Sequence, residues 1–458
     1  MNSRRNVTAL LLSRMDDCAA VDIPSVVKGR CCSALLDYIG VAYAGRTALR
    51  GKVNALESMS GAVNGDGLVL GSKGMLPIKD AVFLNGLNAH ALDLDDGVNA
   101  GIIHLGSPIF SLLIPLAAKH GVSGGKLIKA TVLGYEVAWT LAYSIQPAHK
   151  LKGFHATGTC GMLGAIAAGA YLLDFTEQER FRAFSTGCVS AGGTLKVLED
   201  GSELKPYNVA KAALLALVSL QMGKAGFEVP DDAMSGDRGF LQMMAGSQDV
   251  EIKPFMLDSR YAITRTYTKP YAACRYCHPA IEAAISLERS GKVPLSDVER
   301  IEVRTYDLAV KGHDHTEIEG IASAKMSIPY GVAVGYLKGK AGLAEYSEEA
   351  VSDPAVLSLC AKVAVFSDDD LTAAFPEQTV ANVRLVTRRG DSFERRVDHP
   401  LGEPENPLGD EGVRQKFCEM TTFAGMPPDW QSAVISAVSN VEEDFLRLIS
   451  LLSEEVRR

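Results

Sequence analysis

The sequence lacks any apolar run long enough to cross a membrane. Its longest apolar stretch, GMLGAIAAGAYLL at 161–173, is shorter than the roughly 20 residues that a spanning helix needs. The apolar run near the N-terminus is broken after a few residues by Ser13 and Arg14, so residues 1–20 are interpreted as an amphipathic helix rather than a secretory signal. We therefore expect a soluble, cytoplasmic protein.

An excess of basic residues is also missing. The 46 Lys and Arg residues face 55 Asp and Glu residues, which gives a formal net charge of −9. This charge argues against non-specific binding of nucleic acid, because such binding needs a basic surface. A Walker-type phosphate loop is excluded as well, since no Gly-Lys-Ser/Thr follows the glycines. A local cationic pocket stays compatible with the sequence, because net charge describes the whole surface.

The nine cysteines form no recognisable framework, and in a reducing compartment they are expected to be free thiols. The stretch CRYCH at 274–278 has the spacing of a c-type haem attachment site. It is also compatible with half a zinc site, a redox dithiol, an iron–sulfur ligand pair completed by Cys160, or packed thiols. No second Cys-x-x-Cys or close Cys–His pair supplies further zinc ligands. We therefore predict no metal and no cofactor, with Cys277 a buried thiol and His278 either capping the following helix or packed against it.

What the sequence does contain is a long series of helical patterns up to about residue 264. Apolar residues recur at i, i+3, i+4 and i+7, and several of these segments are apolar nearly all round, as buried helices are. Thr176 and Glu179 have the spacing of a capping box that opens a helix. The clearest helices are predicted at 31–46, 109–121, 127–144 and 207–226.

A different pattern begins near residue 265. Ile301, Val303 and Thr305 alternate with polar residues, which predicts a half-buried strand, and 379–400 predicts two strands joined by a turn. Helices are predicted at 279–290 and 326–338. We therefore predict a mainly α fold, with a large all-α domain at 1–264 and 401–458 and a smaller α+β lid domain at 265–400.

The densest group of polar residues lies in segment 85–108, and its members are His90, Asp93, Asp95, Asp96 and His104. Asp93 and Asp96 are expected near one helical face, with Asn88 and His90 as further candidates for that face. Three interpretations stay open: a helix end with solvated acids, a metal site, and an acid/base pocket in which a carboxylate orients a histidine.

Two further clusters indicate anion binding. His155 precedes a Gly/Thr-rich turn that opens a buried helix, and the free N–H groups of such a turn attract anions. Lys205 precedes another apolar helix, where a cation is unfavourable unless an anion joins it. His313 and His315 form an H-x-H pair without an evident third metal ligand.

Six motifs spread in order over nearly the whole chain resemble those of the MmgE/PrpD family. They read NGLNAHALDLDD, GFHATGTCGMLGAIAAGAYLL, DGSELKPYNVAKAA, KPYAACRYCHPAIEAA, SAKMSIPYGVAV and GEPENPLGDEGVRQKF. The family includes 2-methylcitrate dehydratase, cis-aconitate decarboxylase and iminodisuccinate epimerase. The resemblance implies an all-α domain with an α+β lid domain, a homodimer, a small carboxylate substrate and no required cofactor. It implies catalytic roles for His104, His155 and Asp93, and substrate contacts for Lys205, Lys269, Tyr330 and Cys274.

Three positions depart from the family pattern and disfavour the decarboxylase branch. Gly97 stands where Thr is common, Leu105 where Pro is frequent, and Cys274 where that branch resembles having a histidine. The leading hypothesis is a cofactor-independent lyase that dehydrates a 2-methylcitrate-like hydroxy acid. His104 would be the base, oriented by Asp93, and His155 the acid or second base. The alternatives are an epimerase of an iminodisuccinate-like dicarboxylate and a cis-aconitate-type decarboxylase.

Overall fold

The structure is a computed structural model that describes residues 6–60, 65–198, 202–291 and 293–456. Its contacts divide the chain into two compact units. The first contains Met1–Val197, Leu204–Thr266 and Asp410–Arg458, and the second contains Leu198–Glu203 and Tyr267–Gly409. The mainly α fold class predicted from the sequence is confirmed. The predicted domain boundaries, 1–264 with 401–458 and 265–400, stay a prediction.

The first unit is a helical assembly with one very short β-ladder. Strands β1 and β2 have two residues each and pair antiparallel, an element that the sequence patterns did not predict. Up to residue 266 its elements are α1 Val7–Ala20, α2 Ser25–Ala48, α3 Arg50–Met59, β1 Gly67–Leu68, β2 Met75–Leu76, α4 Ile78–His90, α5 Gly106–His120, α6 Gly124–Ile145, α7 Ala148–Leu151, α8 Ala156–Leu172, α9 Glu177–Ser190, α10 Lys205–Ala225 and α11 Phe240–Ala245.

The centre of the first unit is α8, which is buried along nearly its whole length. It packs closely against α6 at two glycines. A Cβ atom on Gly164 would lie 2.5 Å from the Gly134 carbonyl oxygen, so only glycine allows the two backbones to approach this far. The predicted capping box at Thr176 and Glu179 is confirmed at the start of α9.

The second unit combines a four-stranded sheet with short helices. Its elements are α12 His278–Ser290, β3 Val298–Thr305, α13 Asp307–Val310, α14 Ile321–Lys325, α15 Ile328–Lys338, α16 Pro354–Cys360, β4 Val363–Ser367, α17 Asp369–Ala374, β5 Ala381–Thr387 and β6 Ser392–Val397. The strand order is β4-β3-β5-β6, with β3 parallel to β4 and antiparallel to β5. Helix α12 packs against β5 and β6. The side chains of Ile301, Val303 and Thr305 are buried, as the alternation predicted.

The chain then returns to the first unit with α18 Gly409–Phe423, α19 Pro428–Ser439 and α20 Val441–Leu452. Trp430 of α19 packs its ring against Tyr43 of α2, with 4.8 Å between ring centroids. The first unit is therefore completed by residues that follow the second unit in sequence. Among the described helices, none combines the length and apolar character that crossing a membrane would require.

Candidate active site

The polar segment 85–108 forms the end of α4 and a loop that folds back on itself. Helix α4 ends at His90, and Asp93 adopts left-handed backbone angles with φ 54°. Val98 and Ile103 pair through two main-chain hydrogen bonds of 2.9 and 3.3 Å, which returns the chain towards α4. The expectation that Asp93 and Asp96 share a helical face with Asn88 and His90 is therefore wrong, because the helix does not reach them.

This fold-back brings two imidazoles together around one carboxylate. The ring centroids of His90 and His104 are 4.8 Å apart, and both side chains are buried. Nδ1 of His90 lies 2.9 and 2.8 Å from the two carboxylate oxygens of Asp95, and Nδ1 of His104 lies 3.5 Å from Oδ1 of Asp95. The Ser107 hydroxyl donates to the same carboxylate over 2.6 Å. Asp95 is thus the shared acceptor of the cluster.

His104 is oriented mainly by a main-chain oxygen. Its Nδ1 lies 2.8 Å from the Asp96 carbonyl oxygen, which can only accept, so Nδ1 carries a proton and, when the ring is neutral, Nε2 carries the lone pair. Nε2 lies 3.9 Å from Oδ1 of Asp93. The Asp96 main chain and the Asp95 carboxylate therefore make the contacts to Nδ1, while Asp93 faces the other ring nitrogen.

The Asp96 carboxylate is held by hydrogen bonds that connect parts of the fold. Its oxygens accept hydrogen bonds from the Gly106 N–H over 2.8 Å and from the Tyr135 hydroxyl over 2.7 Å. Burial raises the pKa of Asp96 to about 6, although both hydrogen bonds oppose the rise. These bonds fix the start of α5 relative to α6 and the loop.

His155 lies directly before α8 and beside the same cluster. Its ring centroid is 5.9 Å from that of His90, and its side chain is buried. Burial, together with the positive charges that His90 and Lys205 can carry, holds the pKa of His155 well below its ordinary value. His155 is therefore a neutral imidazole at neutral pH.

Lys205 is the first residue of α10, whereas the sequence predicted that it precedes the helix. Its ammonium nitrogen lies 2.6 Å from Oδ2 of Asp93. The anion that this helix start requires is thus supplied, in the described structure, by the Asp93 carboxylate.

Three helix N-termini meet at this cluster. Helices α5, α8 and α10 pack against one another, and they begin next to His104, His155 and Lys205. The main-chain N–H of His104 donates to the Thr157 hydroxyl over 3.1 Å, which ties the starts of α5 and α8 together. His155 and Leu204 provide no side-chain cap for α8 and α10, whereas the first N–H of α5, that of Gly106, donates to the Asp96 carboxylate. The first turns of these helices therefore direct partial positive charge towards the histidines.

The remaining predicted site residues belong to the second unit. Lys269 is fully buried, and the segment that carries it is held by the Thr268 N–H, which donates to the Gly402 carbonyl over 2.9 Å. A Cβ on Gly402, whose φ is +94°, would lie 1.9 Å from the Thr268 oxygen, so this position requires glycine. Tyr330 is buried in α15 and its hydroxyl donates to the Glu345 carbonyl over 2.7 Å. Their roles in substrate binding stay predictions.

The CRYCH stretch is a buried turn at the start of α12. The Cys274 N–H donates to the Lys325 carbonyl over 2.8 Å, and the side chain of Cys277 is buried, as predicted. His278 opens α12, with Nε2 3.1 Å from the Ala273 carbonyl and Nδ1 2.9 Å from the Arg275 guanidinium. Both cysteines are outside disulfides, and neither belongs to a group of three metal-ligating side chains among the described residues.

The metal interpretation of segment 85–108 has a partial basis in the structure. His90, Asp93, Asp95 and His104 offer ligand atoms within 4.8 Å of one another. However, Asp93 is already paired with the Lys205 ammonium, and a second cation beside it would be repelled. The arrangement fits an imidazole–carboxylate network for acid/base chemistry better than a cation site.

The sequence-based assignment missed three residues of this network. His90, Asp95 and Ser107 were not assigned roles, although they hold the centre of the cluster. The available signal was the placement of five ionisable residues in an otherwise apolar segment. The sequence could not predict which of these residues contact one another, because their contacts depend on where α4 ends.

The first unit therefore defines a class: a mainly helical protein with a buried imidazole–carboxylate cluster at converging helix N-termini. The sequence profile of the MmgE/PrpD N-terminal domain matches residues 13–253, and that of the MmgE/PrpD C-terminal domain matches residues 271–440. The chain belongs to the MmgE/PrpD family, as its motifs predicted.

Curated relatives of this chain include three cis-aconitate decarboxylases. That of Aspergillus terreus (strain NIH 2624 / FGSC A1156) is 26% identical over 455 residues, covering 93% of this chain and 91% of the relative. That of Homo sapiens is 23% identical over 434 residues, covering 91% and 88%. That of Mus musculus is 25% identical over 367 residues, covering 75% and 71%. The similarity spans both matched domains at low identity, so it identifies the family rather than the substrate.

Proposed function

We propose that the protein is a lyase that removes a proton alpha to a carboxylate group of a small di- or tricarboxylate. The observation that supports this proposal is the placement of two buried histidines, His104 and His155, beside Lys205 at three converging helix N-termini. Such a site combines a proton acceptor with positive charge, which is what the developing enolate-like anion requires.

The substrate carboxylate would bind at the helix N-termini and compete with Asp93 for the Lys205 ammonium. N–H groups of first helical turns and a lysine charge both favour a carboxylate. Because the surroundings are buried, this attraction is weakly screened by water and strengthens as charge develops on the carboxylate oxygens.

His104 would act as the base through Nε2, which carries the lone pair in the tautomer that the Asp96 carbonyl selects. His155, whose pKa is well below its ordinary value, would serve as a second neutral base or hydrogen-bond partner. We further propose that Lys269, Tyr330 and Cys274 contact the substrate, that no cofactor takes part, and that the chain acts as a homodimer in the cytoplasm.

We propose dehydration of a 2-methylcitrate-like hydroxy acid as the reaction. In this reaction, loss of the alpha proton is followed by loss of the neighbouring hydroxyl group as water, and an alkene forms. The departures at Gly97, Leu105 and Cys274 from the decarboxylase pattern support dehydration over decarboxylation.

The second candidate is decarboxylation of a cis-aconitate-type substrate. It is favoured by the names of the relatives, which match along most of this chain. Both reactions use a carboxylate-binding site and a proton carrier. They differ in the bond that breaks, which is a C–O bond in dehydration and a C–C bond in decarboxylation.

A panel of di- and tricarboxylates followed by proton NMR in deuterated buffer tests both candidates. Dehydration predicts an alkene from the hydroxy acid, seen as a new vinyl proton or, where the alkene carbon carries the methyl group, as a methyl singlet in place of a doublet, and no decarboxylated product from cis-aconitate. Loss of carbon dioxide from cis-aconitate would replace the first candidate by the second. Deuterium entering the alpha position without any alkene would instead indicate an epimerase.

A further inference from the structure

His90 has a ring nitrogen for which the fold provides no partner. Its side chain is 1% exposed, and Nε2 has no hydrogen-bond partner within the described residues. Nδ1 of His155 is also buried without a hydrogen-bond partner within the described residues. The ring centroids of His90 and His155 are 5.9 Å apart. A buried polar atom without a partner is costly, so two of them side by side suggest that a ligand or water completes their hydrogen bonds.

The other nitrogen of His90 is held firmly. Both oxygens of Asp95 lie within 2.9 Å of Nδ1, and the Ser107 hydroxyl occupies the same carboxylate as a second donor. An ionised carboxylate only accepts, so Nδ1 of His90 carries a proton. Nε2 therefore either carries the lone pair of a neutral ring or the second proton of an imidazolium ion.

The three histidines differ in how well each can hold a positive charge. His90 has a carboxylate at hydrogen-bond distance, and Asp93 is engaged with Lys205. His104 has a carbonyl oxygen at 2.8 Å, with the Asp95 carboxylate farther away at 3.5 Å. His155 is kept neutral by burial and by its cationic neighbours. His90 is consequently the histidine best placed to store a proton.

We propose that His90, held by Asp95, is the general acid of the site and donates a proton from Nε2. This inference rests on the proposed dehydration. His104 takes the alpha proton, the C–H electron pair forms the new double bond, and the C–O bond breaks. The leaving hydroxide takes the His90 Nε2 proton and departs as water. His90 ends neutral and His104 ends as an imidazolium ion, so the net charge of the site is unchanged. Proton exchange with solvent then returns both rings to their starting protonation states.

His90→Gln separates the acid step from the base step. We expect the variant to lose product formation by about 100-fold or more, because general acids contribute on that order. Exchange of the substrate alpha proton with deuterated solvent, which needs only His104, should persist. His104→Gln should lose both. Equal losses of exchange and product formation in His90→Gln would overturn the proposal, as would turnover close to that of the wild type.

His149→Gln is the matched control. His149 is also fully buried in the first unit with an unpartnered Nδ1 in the described structure, but its Nε2 contacts Thr159 rather than the cluster. We expect its turnover to stay within about threefold of the wild type. A loss as large as that of His90→Gln would overturn the assignment, because it would show that removing any buried imidazole has this effect.

Asp95→Asn tests the charge that supports His90 and remains informative if His90→Gln fails to fold. Without the carboxylate, His90 should hold its proton less well, so the alkaline limb of kcat/KM should move to lower pH. The charged and titratable groups around the pair are Asp93, Asp96, His104, Tyr135, His155, Lys205, Asp37, Arg30 and Lys416. They are unchanged in this variant, so an unmoved alkaline limb would overturn the proposal.

Ring NMR of the ¹⁵N-histidine-labelled wild type gives an independent reading, with His90 assigned as the signal missing from His90→Gln. Both ring nitrogens of His90 should be protonated in the pH range where kcat/KM is highest, and a neutral ring there would overturn the assignment. A wild-type protein that neither exchanges nor converts any carboxylate of the panel overturns the proposed function and this inference together. An active His90→Gln variant overturns the inference alone.

Discussion

At the scale of single residues, the three aspartates that follow α4 differ in their partners and therefore in their roles. Asp93 is paired with Lys205, Asp95 with the Nδ1 of His90, and Asp96 with the Tyr135 hydroxyl. Under the proposed function, the first pair is expected to open for a substrate anion, because a carboxylate ligand would replace the Asp93 charge beside the ammonium. The other two are fixed by hydrogen bonds that a substrate would not replace.

The Lys205 charge is predicted to be needed for turnover. Lys205→Met should lower kcat about 10²- to 10³-fold, the typical effect of losing one donor that stabilises a developing anion. Lys224→Met, in the last turn of the same helix and exposed, is the matched control and should remain active. Steady-state kinetics on the substrate found in the panel would check this. Equal activities of the two variants would contradict the assignment of Lys205.

At the scale of elements, α18 holds the loop of the candidate site in place. The Lys416 ammonium lies 2.7 Å from the Leu94 carbonyl oxygen and 2.6 Å from the Asp37 carboxylate of α2. Both side chains are buried, and burial raises the pKa of Asp37. Leu94 lies between Asp93 and Asp95, so the helix that follows the second unit positions both carboxylates.

Removing this cation is predicted to be costly. Lys416→Met should lower the free energy of unfolding by about 3–5 kcal/mol, since it leaves the Asp37 charge buried without its counter-ion. The double variant Asp37→Asn with Lys416→Met should recover part of the loss, because no uncompensated charge then remains. Urea unfolding of four proteins, the wild type, the two single variants and the double variant, measures both effects. Additive losses in the double variant would contradict the pairing.

Helix α6 anchors a second irregular segment through Glu136. Its carboxylate accepts from the Met256 N–H over 3.0 Å and the Ala262 N–H over 2.6 Å, and burial raises its pKa to about 7. A group with a raised folded pKa stabilises the fold below its unfolded pKa, and this contribution is lost as pH rises through the folded value.

The fold is therefore predicted to lose stability on ionisation of Glu136. Between pH 4.5 and 7 the wild type should lose up to about 3 kcal/mol relative to Glu136→Gln, the energy that corresponds to the difference between the two pKa values. Urea unfolding of both proteins at several pH values gives this difference directly. A constant difference across the range would show that the ordinary pKa of glutamate applies.

The elements also show which structural features could be predicted from sequence patterns. The capping box at Thr176 and the alternation of Ile301, Val303 and Thr305 were confirmed, because each depends on residues close in sequence. The end of α4 at His90 was not predicted, since neither glycine nor proline occurs between His90 and Gly97.

The partners within the site were also beyond a sequence-based prediction. Lys416 and Leu94 are 322 residues apart, and no periodic pattern links them. The choice of Asp95 rather than Asp93 as the shared acceptor depends on the left-handed turn at Asp93. Candidate residues were thus predictable by type, while their pairing required the fold.

At the scale of the whole molecule, the chain leaves the first unit after Thr266 and returns to it at Asp410, and both of these residues contact α2. Thr266, the last residue before the insertion, accepts from the Arg30 guanidinium over 2.7 and 3.1 Å. Asp410, the first residue after it, accepts from the Ser33 hydroxyl over 3.3 Å. Arg30 and Ser33 are one helical turn apart, so the two ends of the insertion lie close together on the first unit.

The first unit is therefore predicted to fold without the second. Residues 6–266 joined to 410–456 by a short Gly/Ser linker should unfold in one cooperative transition, because the cut ends are already adjacent. The shortened chain should convert no substrate if Lys269, Tyr330 and Cys274, which it lacks, are needed to bind the substrate. Calorimetry and the NMR assay measure the two properties. A non-cooperative transition would contradict the autonomy of the unit.

If the substrate carboxylate binds at the three helix N-termini of the cluster, it should raise the melting temperature of the protein. The melting temperature can therefore be used to search for the substrate. An anion that binds there stabilises only the folded state, by RT ln(1 + [L]/Kd), or about 2.7 kcal/mol at a concentration one hundred times Kd. Sulfate and phosphate share this attraction and would mask weaker ligands, so a carboxylate screen belongs in a buffer of weakly binding anions. In such a buffer, the carboxylate that raises the melting temperature most is the first to test as a substrate.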